Sequence, residues 1–340
     1  MREAMFIKKN LEKWNRYQQE KSTGADETAE RFSTLVDDLS YAKTYYPRSK
    51  VTRWINGMAA EIYQEIYRNK KEKLSRLFQF WQYDLPITFA RHHRILLFTF
   101  LSFSLFVAIG VWASVHNEEF VTSVLGQGYV SMTEENIAKG DPFGVYKDDN
   151  PFSMFVRIAF NNIRVAFFTF IGGFSLGFFT LKIMWSNGIM LGCFQYLFFS
   201  HGLGLESILT IWIHGTIEIA SIVLAGTAGF ILADGIIFPG TYARLESFKR
   251  GARDAAKLLI CLVPFFILAS FFESYVTHLM GRTYDTDNNA GLPVWMAILI
   301  LAGSLTLMLW YFVVWPIVLK KRGMLVQKDN IVQRLQHTHE

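Results

Sequence analysis

The stretch I-L-L-F-T-F-L-S-F-S-L-F-V-A-I-G-V-W-A-S-V, Ile95 to Val115, runs for 21 residues without a charged side chain. Wound as a helix at about 1.5 Å per residue, it is long enough to cross a hydrocarbon core of about 30 Å. Its flanks give its direction. Arg91 and Arg94 stand just before it and Glu118 and Glu119 just after. Lys and Arg collect on the cytoplasmic side of membrane proteins, so the chain is expected to leave the cytoplasm here. Residues 1–94 carry 18 Lys and Arg against 12 Asp and Glu, which places them inside. Residues 116–154 carry seven acids (Glu118, Glu119, Glu134, Glu135, Asp141, Asp148, Asp149) and two lysines (Lys139, Lys147), which places them outside as a polar loop.

The rest of the chain reads the same way. Of its 340 residues 51% are apolar, with 31 Phe and nine Trp, a surplus that lipid absorbs more readily than a soluble core does. A second span is expected near 155–181. The third apolar piece, 183–199, is short and holds Asn187 and Gly188, so it is either a crossing or a re-entrant hairpin. The charges of the later loops favour a crossing. Spans near 208–237, 255–276 and 292–319 then leave Arg244, Lys249, Arg250, Arg253, Lys320, Lys321 and Arg322 on the inside.

The fold class that follows is all-α: a polytopic helical membrane protein with about six transmembrane helices and an N-terminal helical cytoplasmic arm. Its parts are the arm (1–94), a transmembrane domain (95–319) and a cytoplasmic tail (320–340), in the cytoplasmic membrane with both termini inside. Within the arm, Phe32, Leu35, Val36 and Leu39 share one helical face, and Val51, Ile55, Met58, Ile62 and Ile66 share another after Pro47. A third amphipathic helix, from Lys70 to Leu85, is expected along the membrane surface, with Pro86 ending it. The N terminus turns polar at once and is not expected to be a cleavable signal.

Several function classes fall away. The basic residues flank apolar spans rather than forming a patch, so nucleic acid is not an expected partner. Cys193 and Cys261 lie singly in apolar stretches, no Walker loop or G-x-S-x-G occurs, and H-x-x-x-E at His214 lacks the ligands of a zinc protease. No enzyme activity, metal or cofactor is expected.

Two residue classes inside the spans need explaining. Small residues permit close helix approach in lipid. Gly173 and Gly177, Gly188 and Gly192, and the row Ser221, Ala225, Gly229 and Ala233 form three such ridges, for packing within the chain or for a homodimer. Buried polar groups cost several kcal/mol unless satisfied, so those within spans are candidates for function. Arg157, Asn161 and Arg164 share a face of the second span, His214 and Glu218 lie one turn apart on the fourth, and Glu273 ends the fifth. All fall in the outer half of the bilayer. Asn161, Asn162, Arg164, His214, Glu218 and Glu273 are therefore expected to form a polar cluster, with Arg164 and Glu218 as its ion pair and Gln195 nearby.

Three runs in order, F-N-N-I-R-V-A-F-F-T-F-I-G-G (160–173), N-G-I-M-L-G (187–192) and H-G-T-I-E-I-A with A-G-T-A-G (214–229), make the core resemble the stage II sporulation protein M family. F-I-K-K-N-L-E-K-W, D-D-L-S-Y-A-K and I-Y-Q-E-I-Y-R in the arm extend the resemblance over nearly the whole chain. It implies a polytopic membrane protein, with Asn161, Asn162, Asn187, Gly188, His214, Gly215 and Glu218 as the family's marked positions. It also implies a non-enzymatic scaffold or anchor for partner proteins, docked through the arm. The alternative is a transporter or channel for an anionic or lipid-linked substrate at the polar cluster.

Overall fold

A computed structural model describes residues 2–20, 22, 24–68, 74–144, 150–277, 279, 291–327 and 330–333. The chain divides into two compact units, Met1–Leu77 and Phe78–Glu340.

The first unit holds three helices, α1 (Glu3–Gln19), α2 (Ala25–Tyr45) and α3 (Lys50–Arg68). Their apolar faces meet in one core of Phe6, Trp14, Leu35, Leu39, Ala42, Val51, Ile55, Met58 and Ala59. Trp14 is fully buried, and its indole Nε1–H finds an acceptor in Asp38 Oδ2 at 2.8 Å. Asp38 also pairs with Lys13 at 2.6 Å, so the charge brought near the core is matched. Val36 and Ile66, expected on the apolar faces, are exposed at their margins.

The second unit begins before the expected boundary at Arg94. Helix α4 (Leu74–Gln79) does not stop at Pro86 but runs through a π-helical turn, Phe80–Asp84, into α5 (Leu85–Arg91). A proline leaves carbonyls one turn back without a donor. Here Tyr311 Oη–H donates to Trp81 O at 2.6 Å and Trp315 Nε1–H to Gln82 O at 2.8 Å. Leu85 to Ala90 are all buried, since a run apolar on every side suits a place between helices rather than on a surface. Residues 70–73 of the expected surface helix lie outside the described residues.

Then come α6 (His93–His116), α7 (Glu118–Leu125), α8 (Gln127–Ala138), α9 (Pro151–Ile171), α10 (Phe178–Ser200), α11 (Gly204–Ile237), α12 (Arg244–Phe272), α13 (Val294–Leu309) and α14 (Trp315–Lys321). A π turn, Glu273–Thr277, extends α12, and another, Trp310–Val314, joins α13 to α14. Strands β1 (Met324–Gln327) and β2 (Asn330–Gln333) pair antiparallel after the last helix. The acidic stretch expected as a polar loop is helical in its described part. Val121 of α7 and Val130 of α8 pack on Ile189, Cys193 and Leu197 of α10.

Five continuous segments are long and apolar enough to cross a membrane: His93–His116, Pro151–Ser175, Gly204–Ile237, Arg244–Thr277 and Val294–Lys321. This is a multi-pass membrane protein. The segment left ambiguous by the sequence, α10, is an unbroken helix of 23 residues, about 34 Å long, and not a hairpin. It lies parallel to α6 and in step with it. A Cβ on Gly188 would meet Phe103 and Phe106, and one on Gly192 would meet Val107, Gly110 and Val111. Ser114 Oγ–H reaches Cys193 Sγ at 3.4 Å. Any slab crossed by α6 is therefore crossed by α10, which makes six crossings.

The expected second span ran too far because no charge marks its end. The turn lies at 172–177, where Leu176 and Gly177 have positive φ (59° and 87°) and Ser175 Oγ accepts from Phe179 N. Gly173 and Gly177 thus belong to a turn rather than a helix ridge, and a Cβ on Gly173 would collide with Gly229 O. Gly188, Gly192 and Gly229 are likewise occupied by the chain's own helices. The ridges are used for packing within one molecule. At the centre stands α11, where Ser221, Ala225, Ala228 and Gly229 let neighbours approach, and 72% of its apolar window is inside, against 22% for α6.

Candidate functional site

The His116 end of the bundle also holds the N termini of α9, α11 and α13. About one to two turns in from the level of the start of α13, α11 and the end of α12 bring three side chains together. His214 and Glu218 lie one turn apart on α11, and Glu273 opens the π turn after α12. One donor atom from each lies within 4.8 Å of the others. His214 is buried, while Glu218 and Glu273 keep part of their surface accessible.

His214 is held in place from α12. Its Nδ1 lies 2.8 Å from Thr277 Oγ1, and the Thr277 hydroxyl itself donates to Phe272 O at 3.2 Å. With that proton spent, the Thr277 oxygen is left to accept from Nδ1–H. The partners arise from the π turn, a feature that gathers at functional sites. From α9, Asn162 lies against the Glu218 carboxylate, yet its amide nitrogen completes no hydrogen bond of ordinary geometry. Tyr129 of α8 lies near Glu273. Burial pushes its phenol up to about 12, a hydrogen bond with Thr133 opposes the rise and the Glu273 charge adds to it.

Arg164 is not part of this cluster. Arg157, Asn161 and Arg164 do share a face of α9, but it points away from the bundle and all three are exposed. The inward face carries Ala159, Asn162, Ala166 and Thr169, whose small side chains let α9 approach its neighbours. Asn161 touches the site only through Asn162, at 3.5 Å. The expected Arg164–Glu218 pair is absent among the described ion pairs, and no Lys or Arg among the described residues pairs with Glu218 or Glu273. Gln195 is used elsewhere, accepting from Trp212 Nε1–H at 2.9 Å and donating to Ser207 at 2.7 Å. Asn187 bonds back to Ile183 O of its own helix.

A model of the stage II sporulation protein M family matches residues 97–278, more than half of the chain. The chain belongs to that family. The match takes in α9 to α12 and with them all of Asn162, His214, Glu218 and Glu273. The arm does not share it: residues 4–68 match a separate domain of unknown function, DUF8413. The resemblance in the arm motifs is thus corrected, and the family core sits behind an added module. No curated protein and no solved structure matches the chain.

At the opposite end of the bundle, Asp254 of α12 accepts from Arg91 Nη1 at 2.6 Å and from His92 Nε2 at 3.0 Å. Sequence reasoning passed over this acid. It binds the entry of α6 to α12, with both donors satisfying one buried carboxylate, and is a structural tie.

Proposed function

We propose that this member of the family is a non-enzymatic membrane transport protein that binds a cation in the outer half of the membrane. One observation carries the reading: two carboxylates and an imidazole converge where lipid surrounds the fold, with no basic side chain from the described residues to balance them. Uncompensated charge in such a place is expensive and marks ion pathways and binding sites. An anionic substrate with Arg164 as counter-ion is replaced by a cationic one, because the groups that converge there are two acids and a histidine while Arg164 faces away. The basic ends of α6, α12 and α14 lie together and face the cytoplasm by the positive-inside tendency, so the His116 end faces out. Reconstituted in vesicles, the protein should pass a cation detectable with an entrapped indicator, and Glu218→Gln or Glu273→Gln should abolish the flux while folding is kept. Equal flux in those variants, or none for any cation with folded wild type, would refute it.

A second role, as an anchor for protein partners, is favoured by the arm, which forms its own compact unit and matches its own domain family. Removing residues 1–77 should then release a partner crosslinked in cells and leave the vesicle flux intact; retention of that partner by the shortened chain would count against it.

A further inference from the structure

From the chemistry of the same cluster, and resting on the cation-binding reading above, we infer that the occupant is a divalent transition-metal ion held by His214, Glu218 and Glu273. The geometry admits it. Three donor atoms no more than 4.8 Å apart leave a common point within about 2.8 Å of each, against ~2.0–2.2 Å for bonds from zinc to nitrogen or oxygen. Small rotations of two glutamate side chains close that gap.

Charge selects the valence. Two carboxylates and a neutral imidazole carry a formal charge of −2, which a divalent ion cancels and a monovalent ion only halves. In a medium of low dielectric the neutral assembly is the stable one. The nitrogen donor selects the kind of ion. Imidazole suits zinc, iron, copper and nickel, whereas magnesium and calcium prefer oxygen alone.

The surroundings are those of a ligand site. Thr277 fixes the His214 ring through Nδ1, as outer partners of metal-bound histidines do. Asn162, only 6% exposed and lying against Glu218, keeps an amide nitrogen with no completed hydrogen bond. That donor suits a water on the metal or the second oxygen of Glu218. With three protein ligands the ion keeps room for such a water.

The test uses the full chain in nanodiscs, stripped with a chelator and titrated by calorimetry with zinc, manganese, magnesium and sodium ions. One zinc ion per chain is expected, bound more tightly than manganese, with affinity at least about tenfold weaker in each of His214→Gln, Glu218→Gln and Glu273→Gln, and unchanged in Glu246→Gln at the opposite end. Cobalt bound to wild type should also give the visible bands of a nitrogen and oxygen ligand set, a readout that needs no variant. Divalent binding that all three ligand variants leave unaltered, or featureless cobalt spectra, would overturn the inference. Sodium bound in place of divalent ions, and lost in the same variants, would overturn the metal while leaving the cation reading intact. No cation dependent on these residues would end both.

Discussion

Gly110→Ala should loosen the bundle, by an amount the packing of α6 on α10 allows to be worked out. A Cβ at Gly110 would lie 2.6 Å from Ile189 O, 3.1 Å from Ile189 Cα and 3.2 Å from Gly192 Cα. Ordinary contact begins at 3.4 Å, so the helices must part by up to about 0.8 Å at this point. The obstructing atoms are all backbone, so no rotamer change relieves the clash. Overpacking of this kind costs about 1–3 kcal/mol, or roughly 2–12 °C at ~2–4 °C per kcal/mol. Gly303→Ala, where nothing lies within 4 Å, is the control and should lose nothing. Cys193 and Cys261 are the only cysteines and both are fully buried, so a thiol-reactive dye in detergent reports unfolding directly. Gly192→Ala acts on the same gap, and the double variant should cost less than the two singles together. Equal melting of Gly110→Ala and Gly303→Ala would refute the close approach, and with it the argument that α10 crosses beside α6.

Three further outcomes are expected. Arg164→Met and Glu218→Gln should change stability additively to within about 0.5 kcal/mol, since the two do not touch; strong coupling in a double-mutant cycle would restore them as partners. Ser114→Cys should form a disulfide with Cys193 across the 3.4 Å contact, and oxidation should leave cation flux intact, since passage would need α11, not α6, to part from its neighbours; flux lost on crosslinking would show that α6 and α10 must separate. Cysteines at the exposed Glu134 and Lys249 should differ in intact cells, with an impermeant reagent labelling the first only, and labelling of the second alone would invert the topology.

The crossings were legible because an uncharged run has few alternatives in water, and His214 with Glu218 because one helical turn joins them whatever else happens. The inward face of α9 was not. Periodicity grouped Arg157, Asn161 and Arg164 correctly on one side but carried no sign. The sign lay in the small residues Ala159, Ala166 and Thr169, which run beside Asn162 and mark the side that approaches other helices. The turn after α9 was hidden because Gly172 to Gly177 serve it by conformation and not by charge. Asp254 could not be matched to Arg91, as their pairing spans 163 residues of chain.

The two halves of α11 do different work. Ile213 is level with Ala297 near the start of α13, and Gly235 is level with Ser247 and Gly251 near the start of α12. The intervening residues rise about 33 Å, one membrane thickness. Glu218 therefore lies about 12 Å below the start of α13, well short of the far side. Below it, Gly226, Gly229 and Gly235 are in tight contact with Met184, Thr180 and Gly251, while Gly215 meets nothing within 4 Å. Close-packed contacts resist gradual deformation. On the proposed cation reading, binding from the His116 end would leave that packed half undisturbed, whereas passage through it would need α11 to separate from α10 or α12. Binding and passage would then be distinct steps, the first set by three side chains and the second by the glycine contacts beneath them.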